Sequence, residues 1–194
     1  TWAWNELYYA TTFDRILDRY IDRSVKDYRP PRFILNDLIR YWRTMCVDFA
    51  GKEHEGPEKW GIRNAKLRTS RKMLFAGGLL PVLTCADLPK NEMAPYLKHE
   101  LALPPVDRVA SAFLRQDETI DAGARALSAY DEFVGLLGDR AAREELESLD
   151  REAAAGSEVF QRVKSLGKIL EASLLSLLFE PGDKAALARN YLVF

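Results

Sequence analysis

The positive charge of this chain is concentrated in one stretch that contains no acid. Between residues 59 and 86 there are six basic residues, with neither an aspartate nor a glutamate among them. The six are Lys59, Arg63, Lys66, Arg68, Arg71 and Lys72. Because the whole chain has 28 basic and 29 acidic residues, the stretch departs clearly from the average composition. Guanidinium and ammonium groups at this density bind phosphates or acidic surfaces, so the spacing favours anion recognition.

Placed on helices at about 100° per residue, the polar residues of this region and of the helix before it form two columns. The column on the earlier helix consists of Asn36, Arg40 and Arg43. The column on the later helix consists of Arg63, Lys66, Ser70 and Arg71. We predict that the two columns line a half-buried groove that binds an anion. The alternative is that the arginines only pair with Asp37, Asp48 and the acidic second half of the chain.

The sequence contains no pattern of a complete catalytic site. It has no glycine-rich phosphate loop, no Ser-His-Asp order, no His-x-x-x-His pair and no cysteine cluster. Neither His54 nor His99 has a nucleophile beside it, and neither Cys46 nor Cys85 stands at a metal-ligand spacing. We therefore predict no catalytic residue, metal ligand or cofactor in this chain. Whether the parent protein is an enzyme is left open.

The elements that would position these residues are helices. Apolar residues recur at helical spacing along nearly the whole chain, and no stretch alternates in the manner of a strand. The pattern predicts an all-α bundle of about seven to eight helices, with central helices near residues 61–83 and 157–179. We expect an irregularity at Gly77-Gly78 in the first of these, because glycine weakens a helix.

Composition predicts one helical domain over residues 1–194. The chain is 47% hydrophobic, enough for a core without metal or disulfide staples. Its possible halves differ in charge, with residues 1–100 at +4 and residues 101–194 at −5. No apolar run has the length of a membrane span and no signal peptide is recognisable, so we expect no membrane partner, a cytoplasmic location and reduced cysteines. The chain starts at Thr1, which suggests a fragment of a longer protein.

Two segments carry a resemblance to a known family. Residues 35–47, LNDLIRYWRTMCV, are followed by a charged loop and then by residues 63–72, RNAKLRTSRK. Together they resemble the helical region that follows the catalytic domain in bacterial nucleotidyltransferase-domain proteins of the DNA polymerase β superfamily. The resemblance is specific over about residues 35–75. Elsewhere it consists only of an all-helical character.

The resemblance implies an α/β catalytic domain upstream, whose Gly-Ser and Asp-x-Asp motifs hold magnesium and a nucleoside triphosphate. Neither motif occurs in this chain, where Gly77-Gly78 is followed by leucines. Magnesium and the triphosphate are therefore implied for the parent protein alone. For this chain the resemblance implies a nucleotide or a phosphorylated acceptor as ligand, and the upstream catalytic domain or a partner protein as neighbour.

Three functions follow from these observations. The first is a helical accessory domain of a nucleotidyltransferase, which positions a triphosphate or an acceptor with the basic groove. The second is a protein-interaction module without a catalytic role, with Trp2, Trp4, Tyr8 and Tyr9 as an aromatic docking edge. The third is nucleic-acid binding through the basic helix. We expect this to be unlikely, because no aromatic residues are interleaved with its basic ones and the net charge is −1.

Overall fold

The computed structural model describes residues 2–21, 25–55, 58–180 and 183–192. Its α-helices are α1 (Trp2–Tyr20), α2 (Arg32–Glu55), α3 (Trp60–Arg68), α4 (Ser70–Thr84), α5 (Lys90–Ala102), α6 (Pro105–Phe113), α7 (Ile120–Gly138), α8 (Arg140–Ser148), α9 (Glu158–Phe179) and α10 (Asp183–Tyr191). Short 3-10 turns lie at Cys85–Asp87, Asp117–Thr119 and Ala153–Ala155. No strand occurs in these ranges, so the prediction of an all-α bundle is confirmed. None of the helices described is long and apolar enough to cross a bilayer.

The helix predicted over residues 61–83 is divided into α3 and α4 at Thr69. The backbone of Thr69 has φ −126° and ψ −85°, outside the helical region. Its buried hydroxyl donates to the carbonyl oxygen of Ala65 at 2.7 Å, and its own carbonyl accepts from the amide of Met73 at 2.8 Å. The prediction of an irregularity at Gly77-Gly78 is wrong, because both glycines lie inside α4.

The two glycines of α4 permit close packing on both sides of the helix. A Cβ atom at Gly77 would lie 2.8 Å from the carbonyl oxygen of Pro105, so the backbones of α4 and α6 nearly touch. A Cβ atom at Gly78 would lie 3.2 Å from a methyl group of Leu38 on α2. This packing explains why α4, although it contains two glycines, is a central helix of the bundle.

The core consists of three clusters of buried side chains. The first, around Phe133, joins α3, α7, α8 and α9. The second, around Phe113, joins α4, α6, α7 and α9. The third, around Leu83, joins α1, α2, α4 and α5. Full burial of one such side chain contributes about 1.5–3 kcal/mol, and the shared helices α4 and α9 connect the three clusters. The predicted central helices at 61–83 and 157–179 thus correspond to α3–α4 and α9.

The start of α9 is fixed by Ser157. Its hydroxyl oxygen accepts a hydrogen bond from the amide of Phe160 at 3.0 Å, the usual arrangement of an N-cap. The same hydroxyl donates to Glu145 of α8 at 2.5 Å. These two bonds fix the direction in which the first turns of α9 run, and those turns carry Gln161 and Lys164.

Candidate anion-binding site

Arg63 and Arg71, both predicted for the groove, lie close to a carboxylate of α2. The pKa of Asp48 is held below its ordinary value, mainly by a hydrogen bond from Lys52. The Nζ of Lys52 is 2.7 Å from Asp48 Oδ2, and the positive charges of Arg71 and Arg63 lower the same pKa further. Among the described residues neither arginine forms an ion pair with Asp48 within 4.0 Å, so the two act on this carboxylate by their charge alone.

Lys66 has a different neighbour, on α8. The pKa of Glu147 lies below its ordinary value, mainly because Arg143 donates a hydrogen bond to it at 2.9 Å. Lys59 and Lys66 lower this pKa further by their charge. Ser70 is half-buried as the first residue of α4. The column predicted on the later helix is thus divided between the α2 side and the α8 side of the fold.

The earlier column lies on another flank of α2. At about 100° per residue, Arg43 is about 140° around the helix from Asp48. Arg43 is exposed. Arg40 is 78% exposed in its side chain and lies 3.4 Å from Asp37. Asn36 lines a small cleft together with Asn190.

The groove between the two columns stays a prediction, since the exposed Arg40 and Arg43 and the half-buried Arg63 and Arg71 have different neighbours. Whether any of these residues binds a ligand stays a prediction.

The aromatic docking edge was predicted from Trp2, Trp4, Tyr8 and Tyr9. The side chains of Trp2, Trp4 and Tyr9 lie outside the part of the structure that is described, whereas Tyr8 is 69% exposed.

A polar cleft of about 430 Å³ lies where α2, α3, the Ala153–Ala155 turn and α9 meet. We call it the polar cleft. Its polar lining residues are Glu53, Asn64, Arg68, Arg151, Gln161 and Lys164. Three of them are cations and one is a carboxylate, so the formal charge of this lining is +2. An excess of positive charge in a concave site attracts anions.

Arg68 is held in the polar cleft from two directions. Its Nε donates to Oδ1 of Asn64 at 2.6 Å, across one turn of α3. On the other side α9 packs directly against it, since a Cβ atom at Gly167 would lie 3.0 Å from the Cβ of Arg68. The terminal guanidinium nitrogens have no hydrogen-bond partner among the residues described. Arg68 therefore offers two oriented donor nitrogens to the polar cleft.

The single carboxylate of the polar cleft is already engaged. Glu53 Oε1 accepts from Arg151 at 2.8 Å and from the indole nitrogen of Trp60 at 3.2 Å. Lys164, in contrast, has no acidic partner within 4.0 Å in the described ranges. The charges left without compensation are those of Arg68 and Lys164.

Sequence reasoning placed Arg68 in the basic stretch but outside the predicted site. The signal that could have found it is the spacing of Asn64 and Arg68, which lie four residues apart and so on one face of a helix. No local signal marks Lys164, which reaches the polar cleft from a helix almost a hundred residues further along the chain.

The residues present do not form a site for the magnesium that the resemblance implies. In the part of the chain that the structure describes, no three His, Cys, Asp or Glu residues stand together as metal ligands would. We therefore derive no step through magnesium from this chain.

Fold and site together define an all-α protein with a cationic polar cleft at the junction of three helices. A comparison with protein-family models, curated proteins and solved structures gave no match for the chain.

Proposed function

We propose that the chain binds a phosphorylated ligand, a nucleotide or a phosphorylated acceptor, in the polar cleft. The observation that carries this proposal is the pair formed by Arg68 and Lys164, two cations without an acidic partner in one concave site. In this role the chain would be the helical accessory domain of a nucleotidyltransferase. The resemblance of residues 35–75 supports that part of the proposal.

The chemistry of the polar cleft suits a phosphate. The terminal nitrogens of a guanidinium form a planar fork that matches two phosphate oxygens, whereas an ammonium group contributes a point charge. Phosphoryl and nucleotidyl transfer gain most from positioning and from charge stabilisation. A neighbouring domain can therefore contribute to the reaction through Arg68 and Lys164 without a catalytic residue of its own.

The proposal is tested by titrating the chain with ATP, with and without magnesium, in an isothermal calorimeter. We expect Arg68→Gln and Lys164→Gln each to weaken binding by about tenfold or more, because each removes a charge-assisted hydrogen bond. Lys168→Gln is the matched control, since Lys168 is exposed one turn further along α9 and does not line the polar cleft. It should bind as the unchanged chain does.

Two results would contradict the proposal. One is the absence of measurable binding by ATP, GTP and pyrophosphate. The other is ATP binding that is weakened by Arg63→Gln or Arg71→Gln but not by the two cleft variants, which would move the site to the α3–α4 column. Circular dichroism of each variant distinguishes a lost ligand contact from a lost fold.

A further inference from the structure

A second basic surface runs along the exposed flank of α2 and the segment before it. We call it the α2 stripe and define it by Lys26, Arg29, Arg32, Arg40 and Arg43, all of which are exposed. On α2, the three arginines fall within a sector of about 80° around the helix axis. Asn36 lies in the same sector, between Arg32 and Arg40. The three arginines of α2 therefore lie along one side of the helix, and Lys26 and Arg29 precede it.

Few acids compensate the α2 stripe. No aspartate or glutamate between residues 32 and 51 falls in the same sector of α2. Asp37 lies beside the sector and offsets Arg40, with 3.4 Å between the charged groups. Asp27 precedes the helix, but its carboxylate accepts a hydrogen bond from the amide of Lys90 at 2.7 Å and is tied to α5. Lys26, Arg29 and Arg43 have no acidic partner among the described residues.

Exposed aromatic side chains are interleaved with these cations. Tyr28 is 63% exposed and Phe33 is 59% exposed, and Arg29 and Arg32 lie between them in the sequence. Phe33 shares a cleft of about 450 Å³ with Lys26, Arg29 and Arg32. Such a surface can contact phosphates with its cations and stack a base on its ring, the combination used by proteins that bind single strands.

We infer that the α2 stripe binds single-stranded nucleic acid. From Arg32 to Arg43 the helix rises about 16 Å, and Lys26 and Arg29 add two cations before it, so the stripe can contact several phosphates of one strand. An acidic protein surface would match the charges equally well but would give no reason for exposed rings between them. In this respect the α2 stripe differs from the basic helix of residues 61–83, where no aromatic residue is interleaved with the cations.

The inference goes beyond the proposed function and uses different residues. Arg32 and Glu53, at the two ends of α2, are about 30 Å apart along the helix. The polar cleft and the α2 stripe can therefore be tested separately.

The test is fluorescence anisotropy of labelled U15 and dT15 strands, titrated with the chain between about 50 and 200 mM salt. Single strands give a slope of log affinity against log salt of about −0.7 per neutralised phosphate, so five cations should give about −3.5. We expect the double variant Arg29→Glu/Arg32→Glu to lose at least tenfold in affinity and about 1.4 in slope. The control Arg125→Glu/Lys168→Glu makes the same charge change on other exposed positions and should leave both values unchanged.

Phe33→Ala separates stacking from charge. It should lower affinity by about tenfold while leaving the salt slope unchanged, because it removes a ring and no cation. Equal binding of a polyglutamate peptide by the unchanged chain would overturn the inference in favour of an acidic protein. So would equal loss of affinity in the control variant. Arg68→Gln/Lys164→Gln should bind the strands normally, so failure of the polar cleft would leave this result intact.

Discussion

Cys85 and Cys46 differ in how far their thiols are removed from water. Cys85 is completely buried, and burial is the main reason that its pKa is raised from 9.0 to about 12. At about pH 8 only about one Cys85 in ten thousand is then a thiolate, the form that reacts. We predict that iodoacetamide alkylates the half-buried Cys46 of the folded chain and spares Cys85, as read by mass spectrometry. Alkylation of both residues at similar rates would contradict this, and both should react in urea.

The same raised pKa makes stability depend on pH. The pKa of Cys85 is higher in the folded chain than in the unfolded chain. Its contribution to the free energy of unfolding is therefore fully present below pH 9.0 and is lost as the pH rises towards about 12. The variant Cys85→Ala should therefore lose less stability than the unchanged chain between about pH 8 and pH 11. Urea midpoints at the two pH values measure the difference.

At the residue scale the sequence predicts which face of a helix a side chain occupies, but not which partner it meets. The placement of Arg43 beside the apolar face of α2 follows from spacing alone. The proximity of Arg63 to Asp48 and of Lys164 to Arg68 depends on how helices cross. That crossing is decided by packing between residues far apart in the chain, and this is why the polar cleft was not predicted from the sequence.

At the scale of elements, the contact between α4 and α6 depends on Gly77. An alanine there would bring its Cβ within 2.8 Å of a backbone oxygen of Pro105, which cannot move as a side chain can. We predict that Gly77→Ala destabilises the fold by about 1–3 kcal/mol, measured by urea unfolding. Gly135→Ala is the control. Its Cβ would meet nothing within 4 Å, and alanine should stabilise α7 by about 0.5–1 kcal/mol.

If alanine stabilised the fold at both glycines, α4 and α6 would be less closely packed than described.

The division between α3 and α4 was not predicted from helix propensity. Propensity pointed to Gly77-Gly78 as the weak point, whereas the chain departs from the helix at Thr69, a residue that is 1% exposed. Tertiary packing overrides local propensity at both places.

At the scale of the molecule, two of the three core clusters draw on both halves of the chain. The cluster around Phe133 includes Trp60 and Leu166, and the cluster around Phe113 includes Met73 and Leu170. We predict that the chain unfolds in one cooperative transition, with coincident curves from tryptophan fluorescence and circular dichroism. Residues 1–100 alone should lack such a transition, because these two clusters lose the side chains of α7 and α9. Two separate transitions in the full chain would contradict this prediction.

The all-α class was predictable because it depends only on the period of apolar residues, which each helix carries in its own sequence. The order of contacts was not, because the helices of the described ranges can be packed in many ways that bury the same faces. The distribution of charge along the sequence was informative only in part. It identified α2–α4 as the region that could bind an anion. Which side of these helices carries the uncompensated cations depends on how the helices pack.

The contact between Gly167 and Arg68 has a consequence for the history of this protein. A Cβ atom at position 167 would lie 3.0 Å from the Cβ of Arg68, so Arg68 would have to shift by a few tenths of an ångström. A lineage that keeps the anion site should therefore favour glycine there, while one that has lost the arginine can accept a larger residue more easily. Among relatives of this chain, positions 68 and 167 should vary together rather than independently.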